Sequence, residues 1–99
     1  GWNFGPGDAG IYTVADVVSM VVSAWGDGHW KVENDYGGHE AHLLKLDISK
    51  AISVLGWKPV MSVEQAIERT IAWYKTYYVA SEEIQSLTEN QIGTFLSAV

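Results

Sequence analysis

Residues 14–25 read Val-Ala-Asp-Val-Val-Ser-Met-Val-Val-Ser-Ala-Trp, and this segment constrains the fold more than any other. At 100° per residue, Asp16, Ser19 and Ser23 form one polar stripe, and apolar side chains cover roughly 220° of the wheel. A helix lying on one layer needs an apolar stripe only somewhat over about 100° wide. This helix therefore asks for cover on two sides. Either a second lobe or a second chain packs on it, or it is sandwiched between the domain's own strands and its last helix. Thr13 is a favourable N-cap, and Gly26 suits the left-handed position that ends a helix. The stretch is too short, and too interrupted by Asp16, Ser19 and Ser23, to span a membrane.

The remaining elements follow from caps and periodicity. Trp2-Asn3-Phe4 reads as a strand end and Gly5-Pro6-Gly7-Asp8-Ala9-Gly10 as a turn. Residues 29–34 alternate weakly and read as a strand, as does the apolar run 43–46. Asp47 caps a helix over about 48–55, with Gly56 at its left-handed end, Trp57 just beyond and Pro59 blocking continuation. Ser62-Val63-Glu64-Gln65 is a capping box that opens a helix over about 63–78. Val63, Ala66, Ile67, Thr70, Ile71, Tyr74, Tyr77 and Tyr78 follow its 3.6-residue period, while Glu64, Glu68, Arg69 and Lys75 fall on other faces. Residues 81–86 read as a polar break. Thr88-Glu89-Asn90-Gln91 is a second capping box, predicting a last helix with Ile92, Phe95, Leu96 and Val99 on one stripe. The expectation is an α/β lobe of about three short strands and four helices. It divides into a lobe over 1–80 and a linker with a C-terminal helix over 81–99.

At 99 residues this is one small domain. Having no cysteine, it can form neither a disulfide framework nor a cysteine metal site. The net charge of −6 argues against nucleic acid, which demands a basic stripe, and against anionic membrane surfaces. The plain expectation is a soluble cytoplasmic domain. The chain opens on Gly1-Trp2-Asn3 without an initiator methionine, which reads as a piece of a longer protein.

Candidate chemistry is sparse. Gly5-x-Gly7-x-x-Gly10 resembles a dinucleotide fingerprint, but Ile11-Tyr12 separate it from the helix and Pro6 occupies the tight turn, so a plain turn is the better reading. His39-Glu40-Ala41-His42 has a spacing of three where a zinc helix needs four. In an extended segment the two histidines would face opposite ways, so no metal site is expected. A polar ligand contact through His39 or Glu40 suits a loop beside Gly37-Gly38. There is no nucleophile elbow and no Tyr followed by Lys four positions on. These residues hold no complete catalytic apparatus.

Taken in order, Trp2-Asn3-Phe4-Gly5-Pro6, His39-Glu40-Ala41-His42-Leu43-Leu44-Lys45-Leu46-Asp47, Ser49-Lys50-Ala51, Leu55-Gly56-Trp57-Lys58-Pro59 and Trp73-Tyr74-Lys75 resemble the C-terminal part of the CDP-glucose 4,6-dehydratase family. These are extended short-chain dehydrogenases/reductases acting on a nucleotide sugar. The Leu-Gly-Trp-x-Pro and Trp-Tyr segments are shared across nucleotide-sugar dehydratases and epimerases; the His-Glu-Ala-His segment is more particular to the CDP-glucose branch.

The resemblance implies an NAD-dependent lyase in deoxysugar and O-antigen synthesis. Such an enzyme takes a hydride from C4 of the hexose, eliminates water across C5–C6 and returns the hydride to C6. NAD and the acid/base residues would belong to an N-terminal Rossmann lobe that matches nothing in this sequence, so this chain would be the small substrate lobe, without cofactor and inactive alone. Its implied partners are CDP-glucose, the Rossmann lobe and further copies of itself. Related TDP-glucose enzymes carry an Asp-Arg-Pro-Gly-His-Asp loop that aligns with Asp35-Tyr36-Gly37-Gly38-His39-Glu40. This nominates His39, Tyr36 and Glu40 for substrate contact, with Tyr36 standing where the cousins have Arg. Thr13, at the start of a helix whose N-terminus favours phosphate, is nominated with them. Arg69, on a predicted exposed face, supplies no cation fork for the pyrophosphate. A sibling nucleotide-sugar epimerase lobe, or a non-catalytic dimerising module built on helix 14–25, remains open at this point.

Overall fold

The computed structural model describes residues 1–7, 12–31 and 46–99. Helix α1 spans Val14–Trp25, α2 Ser49–Leu55, α3 Val63–Val79 and α4 Ile84–Ala98, with a 3-10 turn over Ser81–Glu83 leading into α4. Among the described residues there is no strand. The expectation of an α/β lobe is therefore corrected to a helical one. Of the predicted strands, 32–34 and 43–45 lie outside the described residues. Trp2-Asn3-Phe4 is irregular. A strand needs a neighbouring strand to take up its backbone groups, and this segment meets a helix instead. The Asn3 side-chain amide donates to the Asp47 carbonyl at 3.3 Å, Lys50 Nζ donates to the Gly1 carbonyl at 3.0 Å, and Phe4 packs edge-to-face on Trp57, 5.1 Å between ring centroids.

The helix ends follow local chemistry. Thr13 Oγ1 accepts from the Asp16 N–H at 3.1 Å, and the Asp16 carboxylate accepts from the Thr13 N–H at 2.9 Å, a reciprocal capping box. Ser62 and Gln65 do the same for α3. Gly26 closes α1 with φ +90° and Gly56 closes α2 with φ +65°, a left-handed backbone that costs any residue with a Cβ about 1 kcal/mol or more. At α2 the boundary shifts by one residue: Ile48 is the N-cap, while the Asp47 carboxylate accepts from the Ser49 N–H at 2.9 Å.

The start of α4 differs from expectation. Thr88 does not cap a helix; it lies inside one, its hydroxyl donating to the Ile84 carbonyl at 2.7 Å and accepting from Trp73 Nε1 at 2.8 Å. The 3-10 turn begins the helix a full turn earlier, and the tertiary bond to Trp73 decides which role Thr88 plays. Gln91 reinforces the α3–α4 contact by donating to the Arg69 carbonyl at 2.9 Å.

Helices α1 and α3 lie side by side and run in the same direction. At their N-terminal ends the Tyr12 hydroxyl donates to the Glu64 carboxylate. At their C-terminal ends Lys75 Nζ donates to the Trp25 carbonyl at 2.7 Å and lies 5.9 Å from the Trp25 ring centroid. Since α1 has no basic residue in its own last turn, α3 supplies the cation that its carbonyl end favours. Burial is thin: among the described residues only Ile48, Ala51 and Ile71 are buried apolar side chains. None of the twelve residues of α1 is buried. Val17, Val18, Met20, Val21 and Val22 are all half-exposed, so the described residues do not supply the two-sided cover that the valine-rich sequence calls for.

Candidate functional site

An open groove of about 760 Å³ lies between α1 and α3. Val17 and Val21 form one wall, and Ile67 and Ile71 the other. Phe4, Trp57, Met61 and Phe95 of α4 also line it. Its size is that of a small-ligand site, but its lining is almost wholly apolar, with Tyr12, Ser62 and Thr70 as the polar members. Val17 and Val21, on the helix read as a candidate dimerising surface, thus line this groove.

Tyr12, which lines the groove, is tied to Glu64 of α3. The Glu64 carboxylate accepts from the Tyr12 hydroxyl, which lowers the Glu64 pKa, and the same bond raises that of Tyr12. Sequence reasoning did not find this pair, because the partners are 52 positions apart and neither belongs to a motif. The N-terminal ends of α1 and α3 thus already carry Asp16 and Glu64, negative charges that satisfy the helix dipoles from within the chain.

Of the nominated substrate residues, Tyr36, His39 and Glu40 lie outside the described residues, as does His42. Thr13 is described, and its hydroxyl oxygen caps α1; the O–H proton of an accepting hydroxyl remains able to donate. The glycine loop is not built as a phosphate cradle over its described part. Gly5 and Gly7 have no positive φ. A Cβ on Gly5 would touch Ile48 and Leu46 at 3.6–3.7 Å, and one on Gly7 would touch Pro59 at 3.7 Å. Those two glycines face the protein's own side chains. Arg69, expected on an exposed face, is half-buried beside Met61.

With this geometry in place, comparison with known proteins is decisive on one point. Over 99 residues, 99% of the chain, there is 37% identity to a curated protein of Salmonella typhimurium. That protein is CDP-glucose 4,6-dehydratase. The match covers 27% of the dehydratase's length. No protein-family profile matches the chain, and no solved structure matches it. The resemblance read from the motifs therefore holds along the whole chain, tail helix included. No helix among the described residues is long and apolar enough to cross a membrane.

Proposed function

We propose that this chain is the C-terminal, nucleotide-sugar-binding lobe of a CDP-glucose 4,6-dehydratase. The observation that carries this reading is identity extending over the full chain to little more than a quarter of that dehydratase. The open α1–α3 groove and the half-exposed valines of α1 support it: a larger polypeptide would complete the cover that the helix's composition requires. On this reading the lobe is inactive alone, and the enzyme is a cytoplasmic lyase that eliminates water from CDP-glucose to give the 4-keto-6-deoxy sugar nucleotide. NAD binds the remainder of the protein, consistent with a glycine loop packed on Leu46, Ile48 and Pro59. His39 contacts the nucleotide, with Tyr36 hydrogen-bonding or stacking beside it, Glu40 adjacent and Thr13 offering its O–H. The complete enzyme is a homo-oligomer serving surface-polysaccharide synthesis.

The test is turnover by the full gene product. Incubated with NAD and CDP-glucose, it is expected to yield a product lighter by one water in mass spectrometry, and much less from TDP-glucose. Preference for TDP-glucose, or epimerisation without loss of water, would move the chain to a sibling enzyme.

A further inference from the structure

Arg69 is the chain's single arginine, in a sequence with twelve carboxylates. Its half-buried guanidinium nevertheless donates through Nη1 to the thioether of Met61 at 3.1 Å. Among the described residues no carboxylate is paired with it. Sulfur is a weak acceptor, and a guanidinium has five N–H donors in a rigid fork. Its other donors have no acceptor among the described residues and are open to solvent at the cleft that Arg69 lines.

That cleft, of about 310 Å³ between α3 and α4, is bordered by Arg69, Trp73, Tyr74 and Gln91 and shares Met61, Ala66 and Thr70 with the apolar groove. Its walls are held in place. Trp73 is fixed through Nε1 by Thr88 and stacks on Tyr77 at 9° between planes. Gln91 is anchored by one amide N–H on the Arg69 carbonyl, and its amide nitrogen carries a second donor. The cleft thus presents a cation and a neutral donor between aromatic walls.

We propose that the α3–α4 cleft is a binding site for an oxyanion, the shared chemistry of phosphate and carboxylate, held by the fork of Arg69 and the side-chain amide of Gln91. An oxyanion in place of the thioether would make charge-assisted, bidentate hydrogen bonds of the strongest class available to a side chain.

The experiment is a titration of the 99-residue chain with inorganic phosphate, and in parallel with acetate, at ionic strength held constant with chloride. Two-dimensional NMR follows the Trp73 indole N–H and the Gln91 amide. A saturable shift at both groups is expected, with Arg69→Gln weakening binding at least tenfold. Arg69→Lys keeps the charge but loses the fork, and weakens it severalfold with an unchanged far-UV circular dichroism spectrum. Tighter phosphate binding assigns the site to a phosphoryl group of a small molecule; tighter acetate binding assigns it to a carboxylate. A shift that chloride reproduces, no saturation with either anion, or equal affinity in the wild-type and Arg69→Lys chains overturns the proposal.

Discussion

Ile71→Ala and Ile92→Ala remove the same three carbons from two helices in different surroundings. Ile71, on α3, is 9% exposed and lines the groove that α3 shares with α1; Ile92, on α4, is 54% exposed. At about 0.8 kcal/mol per buried methylene, truncating Ile71 costs about 2.4 kcal/mol in transfer free energy. A sealed core adds a cavity penalty, and such truncations then reach about 5 kcal/mol. Here the residue borders an open groove, so neighbours and water can take up the space and the total should stay near 2–3 kcal/mol. That is a large share of the roughly 5–15 kcal/mol of a typical domain. In a domain of this size it lowers Tm by about 10–20 °C. Ile92→Ala loses little burial and gains helix propensity, so its effect should lie within about 0.5 kcal/mol. Thermal and urea unfolding followed by far-UV circular dichroism compares the two. Equal Tm changes, or a drop of less than about 3 °C for Ile71→Ala, would refute the burial of Ile71.

The Tyr12–Glu64 tie predicts a particular dependence on pH. Glu64's lowered pKa contributes stability present above its ordinary range and lost as pH falls through the folded value. Tyr12's raised pKa contributes stability present below its ordinary value and lost as pH rises through the folded one. Tyr12→Phe should therefore flatten the Tm–pH curve at both its acid and its alkaline ends; an unchanged curve would remove the tie. The glycines separate by conformation. Gly26→Ala, at φ +90°, should cost about 1 kcal/mol or more. Gly93→Ala, inside α4 with open space at its Cβ, should stabilise by about 0.5–1 kcal/mol. Paired urea titrations check both signs. In the full-length enzyme His39→Ala should raise KM for the sugar nucleotide about tenfold, a lost contact of about 1–3 kcal/mol; an unchanged KM would exclude His39 from the site.

What the sequence disclosed was local. The Thr13/Asp16 and Ser62/Gln65 capping boxes are four-residue signals, and the left-handed glycines at 26 and 56 are single-residue ones, so α1 and α3 were readable to within a residue. Thr88-Glu89-Asn90-Gln91 carries the same signal and misleads. There the Thr88 hydroxyl answers to Trp73, 15 positions away, and the turn at 81–83 has already started the helix. The strand assignment at 2–4 failed for a related reason. A short apolar run signals an apolar contact but not its partner, and the partners of Asn3 and Phe4 are Asp47 and Trp57. The parallel pairing of α1 and α3 rests on Tyr12–Glu64 and Trp25–Lys75, contacts that leave no periodic trace. Of the candidate site, the family resemblance was legible in segments such as Leu55-Gly56-Trp57-Lys58-Pro59. The setting of Arg69 was not, because helical periodicity placed it on an exposed face and could not show that Met61 and Gln91 of α4 approach it there.

Amide hydrogen exchange along Val17–Val22, measured in the 99-residue chain and in the full-length protein, bears most directly on the claim that α1 is a helix awaiting cover. Exchange at least tenfold slower in the full-length protein is the predicted result. Equal rates in both would contradict it, for the valine-rich face would then gain nothing from the rest of the polypeptide.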